Sequence, residues 1–203
     1  MKLRRPVFII SQPKAGTYLL ANLLLELGFT GGHGGIKHIS PGKYETYPYP
    51  GTKGFLTARA DPKSVRTMGH WHETIWLVKK PNHFAVGHLD WRKNYTKFSS
   101  FNVILLTRPY DEIKESLERW DKFSGRGGSN HNKILKMAEE IAKWRHRKSV
   151  MTDNLFELTF SDMKNYNIER IDELQKYLMV DPIQDSAKIL RNAMSKDSIT
   201  KIS

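Results

Sequence analysis

Pro13-Lys14-Ala15-Gly16-Thr17 puts a cation, a glycine and a hydroxyl where a short apolar run, Val7–Ser11, gives way to a leucine-rich segment. A turn of this composition at a helix start lets backbone N–H groups face an anion, and the helix dipole adds partial positive charge. Lys14 would add a full one, so the chemistry in view is the holding of a phosphate-like group. The segment is not the G-x-x-x-x-G-K-[ST] loop of nucleoside triphosphatases, because lysine precedes the glycine and the first glycine is missing. In that loop the hydroxyl after the lysine holds magnesium, so its absence speaks against a metal-dependent kinase or ATPase. Taken alone, the five residues also fit an ordinary strand-to-helix turn capped by threonine. A second cluster, Gly69-His70-Trp71-His72-Glu73, would set two imidazoles on one face of a strand. No third ligand follows at zinc-site spacing, so no metal is expected, and lining a pocket is one alternative role for these histidines.

The elements that must position such groups are legible in the apolar pattern. Val7–Ser11 is β-branched and aromatic and reads as a buried strand. In 17–27 the residues Leu19, Leu20, Leu23, Leu24 and Leu27 recur at helical spacing, and Gly28 stands where a helix-ending glycine belongs. Residues 28–64 are dense in Gly, Pro and Tyr and read as a long irregular excursion, with 28–80 as the candidate acceptor-binding region. Short strands are expected at 67–71 and 83–89 with a short helix at 73–79 between them, and Trp71, Trp76 and Trp91 as core or pocket wall. Asn102–Thr107 is a continuous apolar run suited to a central parallel strand. Pro109, Asp111 and Glu112 then open a helix with Ile113, Leu117 and Trp120 on one stripe. A Gly/Ser/Asn-rich loop at 124–132, a helix at 134–144, a strand at 155–160 and a helix at 168–178 complete the pattern. Strands alternating with helices make an α/β fold around a mostly parallel sheet, and residues 1–203 are read as one domain.

Two ordered segments and a third weaker one resemble the sulfotransferases that use 3′-phosphoadenosine 5′-phosphosulfate. Ser11-Gln12-Pro13-Lys14-Ala15-Gly16-Thr17-Tyr18-Leu19-Leu20 is similar to their 5′-phosphosulfate loop, usually Pro-Lys-Ser-Gly-Thr before a helix. Leu105-Leu106-Thr107-Arg108-Pro109-Tyr110-Asp111, running on to Ser116, resembles their 3′-phosphate motif, where an arginine ends a strand and a serine follows eight positions later. Leu158-Thr159-Phe160-Ser161-Asp162-Met163 looks like their Tyr-Glu-Asp-Met region, with Phe160 at the tyrosine position. The resemblance runs from Val7 to about Leu178 and implies a three-layer P-loop-like fold whose central sheet is flanked by helices. It implies donor binding by Lys14, Ala15, Gly16, Thr17, Tyr18, Arg108 and Ser116. The donor carries charge at two ends and needs two anion sites, one built from residues 14–18 and one from the planar fork of Arg108. An alternative for Arg108 is a surface pair with Asp111 or Glu112.

Sulfuryl transfer to an alcohol or amine needs a base for the acceptor's proton and a cation near the leaving oxygen. In cytosolic-type members the base is a histidine about twenty residues before the arginine, which here is His88 in Gly87-His88-Leu89; Lys14 is the cation. Val86 stands where a helping lysine is often found. Relatives acting on polysaccharides use an early glutamate instead, which keeps Glu45 and Glu73 in reserve. The C-terminal Arg-Lys-Gly-x-x-Gly segment of the family is missing, leaving Arg191, Lys196 and Lys201 as substitutes, and Leu19 replaces the tryptophan that often stacks on adenine.

With 33 Lys+Arg against 21 Asp+Glu, the 203-residue chain carries a net charge of +12. A polycation without a core is excluded by 39% hydrophobic and 11% aromatic residues. The longest apolar runs fall far short of the ~18 residues that cross a bilayer. The chain has no cysteine, which removes disulfides, thiolate metal sites and thiol nucleophiles and makes a reducing cytoplasm the default. Arg92-Lys93-Asn94-Tyr95-Thr96-Lys97 and Lys143-Trp144-Arg145-His146-Arg147-Lys148 would serve a nucleic-acid binder, yet no known binding module accompanies them. A small-molecule, glycan or lipid acceptor is the expected partner instead. A donor of roughly four charges does not absorb all the basicity, so an acidic acceptor or peripheral contact with an anionic surface stays open.

Overall fold

The structure is a computed structural model that describes residues 4–11, 14–32, 34–40, 43–48, 81–87, 102–124, 132, 135, 136, 139 and 155–196. Its centre is a five-stranded sheet of β1 (Val7–Ser11), β2 (Thr30–Gly32), β5 (His83–Gly87), β6 (Asn102–Thr107) and β7 (Leu155–Thr159), in spatial order β2-β5-β1-β6-β7. Every pairing in it is parallel. Parallel neighbours cannot be joined by tight turns and need crossovers, here α1 (Thr17–Glu26) after β1 and α2 (Tyr110–Ser124) after β6. After β7 come α3 (Phe160–Lys164), α4 (Ile168–Tyr177) and α5 (Ser186–Lys196).

Strand alternation sorts the core. Val7, Ile9, Ile104, Leu106, Phe156 and Leu158 share one apolar cluster with α1, α4 and α5. Phe8, Ile10, Val103 and Leu105 point the other way and are equally buried, so both faces of the sheet are covered, as a parallel sheet requires. Helix α1 is buried nearly all round: Leu19, Leu20, Leu23, Leu24 and Leu27 are at most 1% exposed, each contributing roughly 2 kcal/mol by burial. It therefore acts as a core element, and Leu19 is interior, not a surface on which adenine could stack.

Three departures from the sequence reading have physical reasons. The stretch expected to be irregular contains β2 at the sheet edge and an antiparallel pair, β3 (Gly34–Ser40) with β4 (Lys43–Pro48). Ile36, Ile39, Tyr44, Thr46 and Tyr47 favour strands, and Gly32, Gly34 and Pro48, which suggested an irregular stretch, stand at strand ends. The strand expected at 155–160 ends at Thr159, because Phe160 opens α3. There Thr159 accepts from the Asp162 N–H at 3.1 Å and the Asp162 carboxylate accepts from the Thr159 N–H at 2.8 Å, a reciprocal cap. Helix α5 went unread, although Ile189, Leu190 and Ala193 recur at helical spacing and Asp185 accepts from the Lys188 N–H. The elements expected at 67–71 and 73–79 lie outside the described residues, as do Trp71, Trp76 and Trp91.

A half-buried tyrosine and a buried arginine close the sheet's periphery. The Tyr177 hydroxyl accepts from the Val103 N–H at 2.8 Å and donates to the Val103 carbonyl at 3.1 Å, tying α4 to the start of β6. Burial pushes that phenol well above its ordinary pKa. Arg4 donates to the carbonyls of Leu27 (2.8 Å) and Gly28 (3.1 Å) at the C-terminal end of α1 and lies over the Phe29 ring. Burial lowers the Arg4 pKa from its ordinary value.

Candidate functional site

Strand register brings the three sequence motifs to one edge. Ser11 at the end of β1 stands opposite Leu106 of β6, and Thr107 of β6 stands opposite Thr159 of β7. Lys14, Arg108 and Phe160 therefore emerge within three residues of the carboxyl ends of adjacent strands. The chain leaves β1 toward β2 on one side and leaves β6 toward β7 on the other, so the winding reverses between β1 and β6. In open α/β sheets ligands bind outside the carboxyl ends of the strands at such a reversal.

The loop itself is bent by two left-handed residues, Lys14 at φ 61° and Gly16 at φ 91°. Gly16 is the residue before α1, no side chain caps the helix there, and its first turn carries no acidic residue. The leading N–H groups of α1 are thus left without intrahelical partners at its positive end. Ala15 is fully buried and Thr17 is 6% exposed, so both anchor the turn, while Lys14 is half-buried. Tyr18 lies in the first turn of α1.

Arg108 closes this loop from the side. Its Nη1 donates to the Lys14 carbonyl at 3.1 Å and its Nε to Glu112 Oε2 at 3.0 Å, and its guanidinium carbon lies 4.1 Å from the centre of the Phe160 ring. The side chain is 8% exposed. Arg108 does pair with Glu112, but it is buried against the Lys14–Gly16 turn and not spread on the surface. Phe160 meets the loop directly, since a β-carbon built on Gly16 would lie 2.3 Å from its Cδ2. Gly16 is accordingly required twice, for its left-handed backbone and for the close approach of the ring.

Ser116 lies on α2 with Ile113 and Leu117 and is 2% exposed, so its hydroxyl sits on the inward stripe of the helix. Arg191 is exposed on α5, whose neighbours Asn192 and Ala193 meet Glu26 and Asn22 in the C-terminal half of α1, the end opposite the Lys14–Gly16 turn. His88, His70, His72, Glu73 and Lys201 lie outside the described residues. Glu45 stands on β4, opposite Lys37 of β3. The sequence alone singled out Phe160 only by likeness; the Thr-x-x-Asp cap that fixes it at the start of α3 was the readable physical signal.

The edge therefore brings together a glycine turn at a helix start and a buried arginine that follows the adjacent strand. Among solved structures, the chain is similar to mouse sulfotransferase SULT7A1 complexed with PAP, with a TM-score of 0.55 and 15% identity over 95% of this chain. It spans 64% of the length of that protein. A sulfotransferase domain from the curacin biosynthetic pathway matches with a TM-score of 0.46 and 13% identity, over 92% of this chain and 77% of that one. No protein-family model matches, and no curated protein matches in sequence. The fold is thus the P-loop-like α/β fold found in sulfotransferases.

Proposed function

We propose that the protein is a sulfotransferase that moves a sulfuryl group from 3′-phosphoadenosine 5′-phosphosulfate to a hydroxyl or amine acceptor. The observation that carries this reading is the meeting of the two anion motifs, with Arg108 bonded to the Lys14 carbonyl at the edge where β1 and β6 diverge. The residues present fit such a donor: in this reading backbone N–H groups of residues 15–18 and the Lys14 ammonium would meet one anionic end, and the Arg108 guanidinium would serve the 3′-phosphate. Ser116 assists once its hydroxyl turns toward that phosphate.

In the proposed in-line displacement, the acceptor oxygen forms the new bond to sulfur while the bond from sulfur to the bridging oxygen breaks. His88 takes the acceptor's proton, and Lys14 offsets the charge that develops on the departing phosphate oxygen. Gly87, the residue before His88, pairs with Ile10 of β1, so β5 ends beside the strand that carries the loop. The acceptor is a small molecule, glycan or lipid, and the proposed setting is the cytoplasm. Among the described residues no helix is long and apolar enough to cross a membrane.

Transfer of labelled sulfate from the donor to a panel of phenols, alcohols, sugars and lipids tests the reading. The wild type is expected to label at least one class, and His88→Ala to keep donor binding while losing turnover by about a hundredfold or more. Loss of donor binding in that variant would contradict the role of His88 as base. No stabilisation of the wild type by adenosine 3′,5′-bisphosphate would sink the donor assignment itself.

A further inference from the structure

The two left-handed residues of the loop are each held by one member of a stacked pair. Lys14, a non-glycine at φ 61°, has its carbonyl bonded by Arg108, and Gly16, at φ 91°, has the Phe160 ring against its α-carbon. Arg108 and Phe160 stack on each other at 4.1 Å, and Glu112 accepts from Nε on one edge of the guanidinium. A left-handed non-glycine residue is costly and persists where its surroundings over-determine it. Here those surroundings include this pair. The consequence is that the side chain proposed to grip the 3′-phosphate also sets the backbone proposed to hold the other end of the donor.

We propose that Arg108 and Phe160 form a clasp that positions the phosphate loop, so that Arg108 contributes to binding at the 5′ end of the nucleotide, which it does not itself touch. This rests on the donor reading above and goes beyond a plain 3′-phosphate contact. Phe160 is a positioning residue: it is 3% exposed and acts through Gly16 and Arg108. Its station is set in turn by the Thr159–Asp162 cap.

The discriminating ligands are adenosine 3′,5′-bisphosphate and adenosine 5′-monophosphate, which lacks the 3′-phosphate. Affinities are read by chemical-shift titration, which reaches weak binding, for the wild type, Arg108→Ala, Phe160→Leu and Phe160→Tyr. The clasp predicts that Phe160→Leu weakens both nucleotides by a similar factor, about tenfold, and that Phe160→Tyr, which keeps the ring, restores both. Arg108→Ala weakens the monophosphate by about tenfold too, and the bisphosphate further. If Arg108→Ala lowers only bisphosphate affinity and leaves the monophosphate within twofold, Arg108 is a simple ligand and the clasp is wrong. Should Arg108→Ala fail to fold, the Phe160 pair decides, and unchanged monophosphate binding in Phe160→Leu overturns the proposal. A wild type that binds neither nucleotide removes the donor reading and the clasp with it, a result distinct from the previous two.

Discussion

Two arginines hold the two ends of the same helix, and they do so in nearly the same way. Arg4 stacks on Phe29 at 4.2 Å and donates to the carbonyls of Leu27 and Gly28; Arg108 stacks on Phe160 at 4.1 Å and donates to the carbonyl of Lys14. Electrostatically they are opposites. Arg4 sits at the C-terminal end of α1, where a cation complements the helix dipole and the last carbonyls need donors. Its remaining contact is to the Asn82 side-chain oxygen, at 3.1 Å from Nε. Arg108 sits beside the N-terminal end, where a cation adds to charge that is already positive, and it carries Glu112 as counterion. The first arrangement complements the helix end, whereas the second, on the proposed reading, would gain from an arriving anion. Similar stacking and similar carbonyl contacts therefore have opposite electrostatic consequences once the sign of the local field is considered.

The largest way to break that contrast is through Gly16. Gly16→Ala forces a side chain into a left-handed backbone and into the Phe160 ring, a cost of about 2–4 kcal/mol from strain and overpacking together. Urea unfolding should show this loss, and the surviving folded fraction should lose its thermal response to adenosine 3′,5′-bisphosphate. A variant as stable as wild type would mean that the ring does not press on the loop.

The arginines themselves give the next largest effects, in opposite readouts. Arg4→Met leaves two helix-end carbonyls and Asn82 without a charged donor and should cost about 3 kcal/mol, while the folded molecule binds the bisphosphate as wild type does. Arg108→Ala should cost only about 1 kcal/mol, because its ion pair is with a half-exposed partner, yet it should abolish the bisphosphate's thermal shift. Exchange of the two patterns would refute the division of labour.

The same contrast explains how much could be read beforehand. Strands β1 and β6, helix α1 and the ends at Lys14 and Arg108 were legible because apolar periodicity and turn chemistry are local. The motifs added their order along the chain. The pairing of Arg108 with Lys14 was not legible, since it depends on the register between Ser11 and Leu106 and joins residues far apart in sequence. Leu19 was read as a position vacated by a stacking tryptophan; only the packing of α1 on all sides shows it as core. The role of Arg4 was not legible either, because a basic residue ahead of an apolar run has no pattern of its own, and its role comes from the fold around Leu27, Gly28 and Asn82.

Glu112 gives the smallest and sharpest test. Its carboxylate occupies one edge of the Arg108 fork at 3.0 Å and is 37% exposed, so solvent screens the pair and removing it should cost the free protein only a few tenths of a kcal/mol. An incoming 3′-phosphate meets an arginine whose charge is already partly balanced. Glu112→Gln removes that balance while keeping a hydrogen-bond acceptor for Nε, so bisphosphate affinity should rise by about threefold at low salt, with the gain shrinking as ionic strength increases. Monophosphate affinity should stay within twofold, because the bond from Nη1 to the Lys14 carbonyl and the stack on Phe160 are untouched. Weaker bisphosphate binding in Glu112→Gln would show instead that the carboxylate aims the fork, and would place Arg108 nearer to the self-contained state of Arg4.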